Sequence, residues 1–135
     1  MSQAIGISNS KGTIAQATEL DAEERWLAYL KSLSERKLAN EGVSTVAQQL
    51  WYRLRQLDGA IRPPNARPTD DGGMRMSWTE NGRYLEIEIA ADAATFEWFY
   101  RDTSAKISDG DDAIPVTETP NQLLSRLRDL IVVNG

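Results

Sequence analysis

The clearest pattern in the chain is an alternation of apolar and polar residues on either side of Asn81-Gly82. The alternating apolar positions are Met74, Met76 and Trp78 before this dipeptide, and Leu85, Ile87 and Ile89 after it. Asn-Gly between two such runs predicts a hairpin with a type I′ turn, because that turn needs positive φ at both central residues. If Glu80 faces Arg83, these apolar residues share one face, and Arg75 lies opposite Glu88 on the other.

Apolar residues at helical spacing predict two helices before the hairpin. The first is predicted to begin near Asp21, in a capping box, and to end at Asn40–Gly42. The second is predicted to begin at Ser44 or Thr45 and to end at Asp58-Gly59. Since the connection between them is short, we expect an antiparallel helix pair.

Prolines and turn residues predict an extended connector over residues 61–73. After the hairpin, a third strand is predicted over Thr95–Arg101, with Phe96, Trp98 and Tyr100 on one face. A shorter fourth strand is expected around Ala105–Ser108, and an acidic loop follows it at residues 109–112.

A last helix is predicted with Thr119 as N-cap, Pro120 at the first helical position and Gln122 completing a capping box. The predicted fold class is α+β: an N-terminal helical hairpin, an antiparallel sheet of about three or four strands, and a C-terminal helix packed on one sheet face. Residues 1–17 are polar and without period, so we predict a flexible N-terminal arm there and a single domain over residues 18–135.

The composition excludes several kinds of chemistry. The 135 residues include no cysteine and no histidine. Disulfides, thiolate metal sites and cysteine nucleophiles are therefore excluded, as are the commonest metal ligand and the commonest general base near neutral pH. We expect no cofactor and no metal. No apolar run reaches the roughly 18 residues of a membrane span, and the N-terminus lacks the features of a signal peptide, so a cytoplasmic protein is predicted.

Charge is divided unevenly along the chain. Residues 1–67 hold nine basic and seven acidic side chains, whereas residues 68–135 hold six and thirteen. An acidic second half disfavours binding to nucleic acid and favours a basic protein partner, although plain solubility would also explain it.

The polar face of the predicted sheet carries the first candidate site. Its members are Glu86, Glu88, Glu97, Phe99 and Arg101. An exposed aromatic residue between opposite charges is the composition of an interface anchor, and carboxylates around it would steer a basic partner. Two alternatives stay open: a solvated face with cross-strand ion pairs, and a carboxylate pair for acid–base chemistry if burial raised one pKa.

A second candidate site is a group of arginines close to Trp51. It consists of Arg53, Arg55, Arg62 and Arg67. Basic residues interleaved with aromatic ones can bind single-stranded nucleic acid by stacking and backbone contact. Since Trp51 lies on the predicted core stripe, an ordinary helix surface is the favoured interpretation, and a nucleic-acid-associated regulator is the alternative function.

The acidic residues Asp109, Asp111 and Asp112 do not complete a calcium loop. Ala113 and Pro115 occupy positions where an EF-hand loop needs oxygen ligands, so an acidic turn is predicted. No phosphate loop or serine-nucleophile motif is present either, and a small carboxylate-dependent enzyme is only a third alternative.

The segment from Pro68 to Trp78, followed by Arg83–Ile89, resembles a group of small uncharacterised bacterial proteins. These share a proline–Asp-Gly-Gly–hydrophobic–Trp segment and a charged Leu-Glu-Ile-Glu-Ile strand, and the resemblance covers residues 61–91. It implies a bacterial cytosolic accessory protein, antitoxin-like or inhibitor-like, acting beside a partner. We therefore expect a non-enzymatic, regulatory protein-binding module that docks through its acidic sheet face.

Overall fold

The computed structural model describes the backbone of residues 11–57 and 61–132, and the side chains of residues 22–56 and 61–131. Its elements are helices α1 (Lys11–Glu35) and α2 (Val43–Leu57), strands β1 (Asn65–Pro68), β2 (Met74–Glu80), β3 (Arg83–Ile89), β4 (Thr95–Asp102) and β5 (Ile107–Pro115), and helix α3 (Asn121–Val132). The strands form one antiparallel sheet in the order β1-β2-β3-β4-β5. The α+β class is confirmed, but the sheet has five strands rather than three or four.

Helix α1 begins at Lys11, so the predicted start near Asp21 is wrong. Residues 11–17 of the predicted arm are helical, and residues 1–10 lie outside the described residues. The stretch Ala15-Gln16-Ala17 consists of strong helix formers. Because adding a residue to an existing helix is much easier than nucleating a new one, such a stretch continues the helix beyond its amphipathic part.

The end of α1 also differs from the prediction, because Lys37 rather than Gly42 is its left-handed cap. The Leu38 N–H donates to the Leu33 carbonyl (2.9 Å) and the Lys37 N–H to the Ser34 carbonyl (3.1 Å). With Lys37 at φ 60°, these bonds form a Schellman motif. A lysine is unusual at this position, which explains why the sequence pointed to a later glycine.

Asn40, expected at a helix end, instead joins the α1–α2 loop to two turns of the sheet. Its N–H donates to the Gly72 carbonyl (2.7 Å) and its side-chain amide to the Ala91 carbonyl (3.0 Å). Helix α2 then begins at Val43, and the predicted stop at Asp58-Gly59 lies outside the described residues.

The hairpin of β2 and β3 has the predicted register. Glu80 pairs with Arg83, Trp78 with Leu85, and Arg75 with Glu88. The turn residues Asn81 and Gly82 have φ of 47° and 82°, as a type I′ turn requires. The alternating apolar residues all face inward: Met74, Met76, Trp78, Leu85, Ile87 and Ile89 are each at most 3% exposed.

Both edge strands depart from the prediction. The connector contains β1, which pairs with β2 from Asn65 to Pro68. A strand with prolines is tolerated there because one side of an edge strand needs no ladder bonds. The expected acidic loop is the middle of β5, where the N–H of Gly110 donates to Asp109 (2.9 Å) and that of Asp112 to Asp111 (2.8 Å).

The core lies between the helices and one face of the sheet. Helices α2 and α3 both pack against β2 and β3, and α1 packs on α2, where the Trp26 and Trp51 rings meet edge to face at 5.1 Å. The connector is anchored to this core, because the indoles of Trp51 (3.2 Å) and Trp78 (2.8 Å) both donate to the carbonyl of Arg62.

Helix α3 begins within a residue of its predicted start, and the Pro120 carbonyl accepts the Leu124 N–H (3.2 Å). Its predicted capping side chains bind elsewhere in the fold. The Thr119 hydroxyl accepts a hydrogen bond from Arg53 (3.2 Å), and Gln122 donates to Asp109 (2.5 Å). The start of α3 is thus tied to both α2 and β5.

Candidate docking face

The face of the sheet that the helices leave uncovered is here called the open face. The strand registers place on it Arg67, Arg75, Ser77, Tyr84, Glu86, Glu88, Glu97, Phe99 and Arg101. The predicted face residues are thus brought together on neighbouring strands. Its three arginines and three glutamates balance in charge, so the acidic character is local rather than a property of the whole face.

Phe99 lies near the middle of the open face and is 36% exposed. It pairs with Glu86 on β3 and with Gly110 on β5. Since Gly110 has no side chain, the flank of Phe99 toward β5 is left uncovered. A Cβ at this glycine would lie 2.6 Å from the carbonyl oxygen of Trp98, so the close approach of the two strands itself requires glycine.

Arg75 forms ion pairs with two of the three glutamates of the open face. Its guanidinium lies 2.8 Å from Glu88 and 3.6 Å from Glu86, and the hydrogen bond with Glu88 is the main cause that raises the pKa of Arg75. The Tyr84 hydroxyl donates to Glu86 (2.6 Å), and burial raises the pKa of this tyrosine. These carboxylates are engaged in structural ion pairs, as in the solvated-face interpretation, and the acid–base alternative gains no support from their positions.

The side chains of Glu97 and Arg101 are both exposed, and neither forms an ion pair among the described residues. Glu97 lies opposite Glu88 and Arg101 opposite Tyr84, so Glu97 faces another carboxylate rather than a cation. Two unpaired opposite charges therefore flank Phe99 along β4.

The four arginines of the second candidate site have separate structural contacts. Arg53 donates to the carbonyls of Val116 (2.8 Å) and Glu118 (3.2 Å), and burial lowers its pKa. Arg55 forms an ion pair with Glu23 (2.5 Å).

The other two arginines of this group lie on the connector and on β1. Arg62 forms an ion pair with Glu80 (2.9 Å) at the end of β2, and Arg67 belongs to the edge strand. Apart from Arg67, each member of the group is thus committed to an intramolecular contact, and those contacts are made with different elements.

Asp102, at the end of β4, is the buried charged residue of the described core. Its carboxylate accepts the Ala105 N–H (3.1 Å) and lies 3.0 Å from the Arg83 guanidinium. The hydrogen bond from Ala105 is the main cause that holds the pKa of Asp102 below its usual value. Since Ala105 lies in the turn after β4 and Arg83 begins the neighbouring strand β3, this aspartate links β4 to both of them.

Asp109 connects β5 to α3. Its Oδ2 accepts hydrogen bonds from Gln122 (2.5 Å) and Arg126 (3.0 Å), and the bond from Gln122 is the main cause that lowers its pKa. A carboxyl with a lowered folded-state pKa stabilises the fold above its unfolded pKa, near 3.9, and this contribution disappears as pH falls through the folded value.

Asp109→Asn is therefore expected to lower the unfolding temperature near pH 7, and over the range from pH 7 into acid the deficit should shrink once the pH falls below the unfolded pKa of about 3.9. Thermal unfolding followed by circular dichroism over this range measures it. Asp112→Asn is the matched control, since Asp112 is exposed and has no ion pair among the described residues, and it should follow the unmodified protein throughout. A deficit for Asp109→Asn that is equally large in acid and at neutral pH would contradict the assignment.

One concave site was not predicted from the sequence. A groove of about 430 Å³ lies between α1 and β1, with Trp26 and Tyr29 on the helix side and Asn65, Ala66 and Arg67 on the strand side. The two halves of the groove come from different parts of the chain and are joined only by folding.

Comparisons of the chain with protein-family models, with curated proteins and with solved structures find no match. The resemblance of residues 61–91 to small bacterial proteins therefore stays a prediction. Within the residues that the structure describes, none of the helices is both long and apolar enough to traverse a bilayer. In the same residues, no group of three or more acidic side chains could hold a metal ion.

Proposed function

We propose that this protein is a non-enzymatic protein-binding module, regulatory in the antitoxin-like or inhibitor-like sense, and that its open face is the docking surface. The observation that carries the proposal is the row along β4, in which exposed Phe99 lies between unpaired Glu97 and Arg101. An aromatic anchor within a polar, charged surround is the usual composition of an interface centre.

The side chains around Phe99 indicate what kind of partner surface would fit the open face. Glu86 lies opposite Phe99 on β3, Glu97 precedes it on the same face of β4, and Glu88 lies opposite Glu97, while Arg101 is the cation next to Phe99 along β4. A partner that offers an apolar pocket with a lysine or arginine at its rim would cover Phe99 and pair with Glu97. The aromatic contact would supply most of the affinity, and the rim charges would set the association rate and its dependence on salt.

The test compares variants of the open face for binding to a purified partner. The unmodified protein is used as bait in a nuclease-treated lysate, and a protein that it retains and the bare resin does not is purified. Calorimetry then compares the binding of this protein to the unmodified chain, to Phe99→Ala and to Glu97→Lys. Phe99→Ala is expected to weaken binding about 30-fold or more, as a hot-spot truncation does. Glu97→Lys should slow association and reduce its salt dependence.

The matched control is Leu38→Ala, which truncates an equally exposed apolar residue in the α1–α2 loop, at 41% exposure. It should bind like the unmodified protein. If Leu38→Ala weakens binding as much as Phe99→Ala does, or if both face variants bind within about twofold of the unmodified protein, the open face is not the docking surface.

A further inference from the structure

The groove between α1 and β1 has a lining suited to an anionic ligand with apolar parts. Arg25, Trp26 and Tyr29 line it from the helix, and Asn65, Ala66 and Arg67 from the edge strand. Among the described side chains that line it, none is acidic. The nearby carboxylate of Glu23 is already bound to Arg55.

The helix side of the groove supplies two aromatic rings. Trp26 is 6% exposed, and its indole N–H is buried without a hydrogen-bond partner among the described residues, so this residue offers the ligand ring surface rather than a donor. Tyr29 is 39% exposed at the groove, and its hydroxyl makes no hydrogen bond there.

Arg67 adds an uncompensated positive charge. It is exposed, has no ion pair among the described residues, and lies opposite Arg75 in the ladder. Arg75 is neutralised by Glu88 on its other side, so no carboxylate is left for Arg67. Arg67 therefore keeps a charge that an external anion could pair with.

The strand edge itself limits what can bind. The Thr69 N–H donates to the Gly73 carbonyl (3.1 Å), which fixes this pair as hydrogen-bonded. Because hydrogen-bonded pairs alternate along an antiparallel ladder, the N–H and C=O of Ala66 point away from β2. The residues two positions to either side, Pro64 and Pro68, have no N–H, so Ala66 is the one residue of this edge that offers both an outward donor and an outward acceptor.

We infer that this groove binds a short, extended peptide of a partner protein that carries an aspartate or glutamate side chain. The peptide backbone pairs with Ala66, its carboxylate meets Arg67, and its neighbouring apolar residues pack on Trp26 and Tyr29. Strand-edge pairing favours a peptide over a free carboxylate, and the proline-limited edge disfavours pairing with a long strand of a second copy. Arg67 lies at the edge of the open face, but the groove includes none of Phe99, Glu97 and Arg101, so this inference does not depend on the function proposed above.

The test uses the full chain labelled with ¹⁵N and a pool of short peptides, each with a central glutamate among small and apolar residues. A second pool has lysine in place of the glutamate. The reporter is the indole N–H signal of Trp26, assigned by its loss in Trp26→Phe. We expect the glutamate pool to shift this signal, and the lysine pool to leave it in place.

Arg67→Glu should weaken binding of the glutamate pool about tenfold or more, because it replaces the attraction by repulsion. This variant is expected to fold, since the new carboxylate lies opposite Arg75. The matched control is Arg128→Glu, which reverses an exposed arginine of α3 that has no ion pair among the described residues and should leave peptide affinity unchanged.

Four outcomes would overturn the inference. Equal weakening by Arg67→Glu and Arg128→Glu would show attraction to net charge rather than a site. Equal affinity for N-acetylglutamate would make the ligand a small carboxylate. A larger shift of the Trp26 signal with oligothymidine would make it a nucleic acid. No shift with the glutamate pool at about 1 mM would exclude a peptide site.

Discussion

Trp51→Ala is expected to reduce the free energy of unfolding by about 3–5 kcal/mol, which is a large part of the stability of a typical domain. Trp51 is 1% exposed and packs against the ring of Trp26. Its outer face carries the guanidinium of Arg55, 4.5 Å from the ring centroid. The substitution therefore removes the contact surface between α1, α2 and the connector at once. Urea denaturation followed by circular dichroism measures the loss.

Trp51→Phe is the matched comparison. It keeps most of the ring but removes the indole N–H that binds the carbonyl of Arg62. Because Trp78 still donates to that carbonyl, the acceptor stays satisfied, and the expected cost is only about 1–2 kcal/mol. An alanine variant that loses no more than the phenylalanine variant would show that packing at Trp51 contributes little.

Gly73→Ala is expected to cost about 2–3 kcal/mol, although the substitution adds a single methyl group. A Cβ at Gly73 would overlap the backbone carbonyl of Ile89 and lie 3.0 Å from the Thr69 hydroxyl. That hydroxyl accepts the Gly73 N–H (2.8 Å), so the turn before β2 cannot move away without losing the bond. The unfolding free energy, measured in urea, gives the size of the effect.

Gly82→Ala is the control for this prediction. Gly82 has φ 82°, but a Cβ there would meet no atom closer than the Ser104 hydroxyl at 4.0 Å. The cost should therefore be that of backbone strain alone, about 1 kcal/mol. If Gly82→Ala destabilises the protein more than Gly73→Ala does, close approach is not what requires glycine at Gly73.

The parts of the fold that the sequence predicted well are those fixed by local chemistry. The Asn81-Gly82 turn sets the register of β2 and β3, and the alternation of apolar residues then assigns each face. The open face followed from the same alternation, so Phe99 and its charged neighbours could be placed together before the structure was known.

The parts that were missed depend on contacts between distant segments. Strand β1 is short, ends in Pro68 and directly follows Pro63-Pro64, and it is a strand only because β2 lies beside it. Strand β5 is highly charged, yet it pairs with the aromatic strand β4, and Asp109 binds α3. The groove needs Trp26 and Arg67 to meet, and no local pattern relates residues so far apart in the chain.

The two edge strands, β1 and β5, also affect whether a second molecule can add a strand to this sheet. On β5, the backbone N–H groups of Gly110 and Asp112 donate to the carboxylates of the preceding residues, Asp109 and Asp111. At β1, Pro64 and Pro68 have no N–H, so the outward N–H of this edge is that of Ala66. A second molecule therefore finds no continuous row of donors along which to extend the ladder. Interrupted edges of this kind are one means by which natural sheets limit edge-to-edge association, and here a few carboxylates and prolines provide the interruptions.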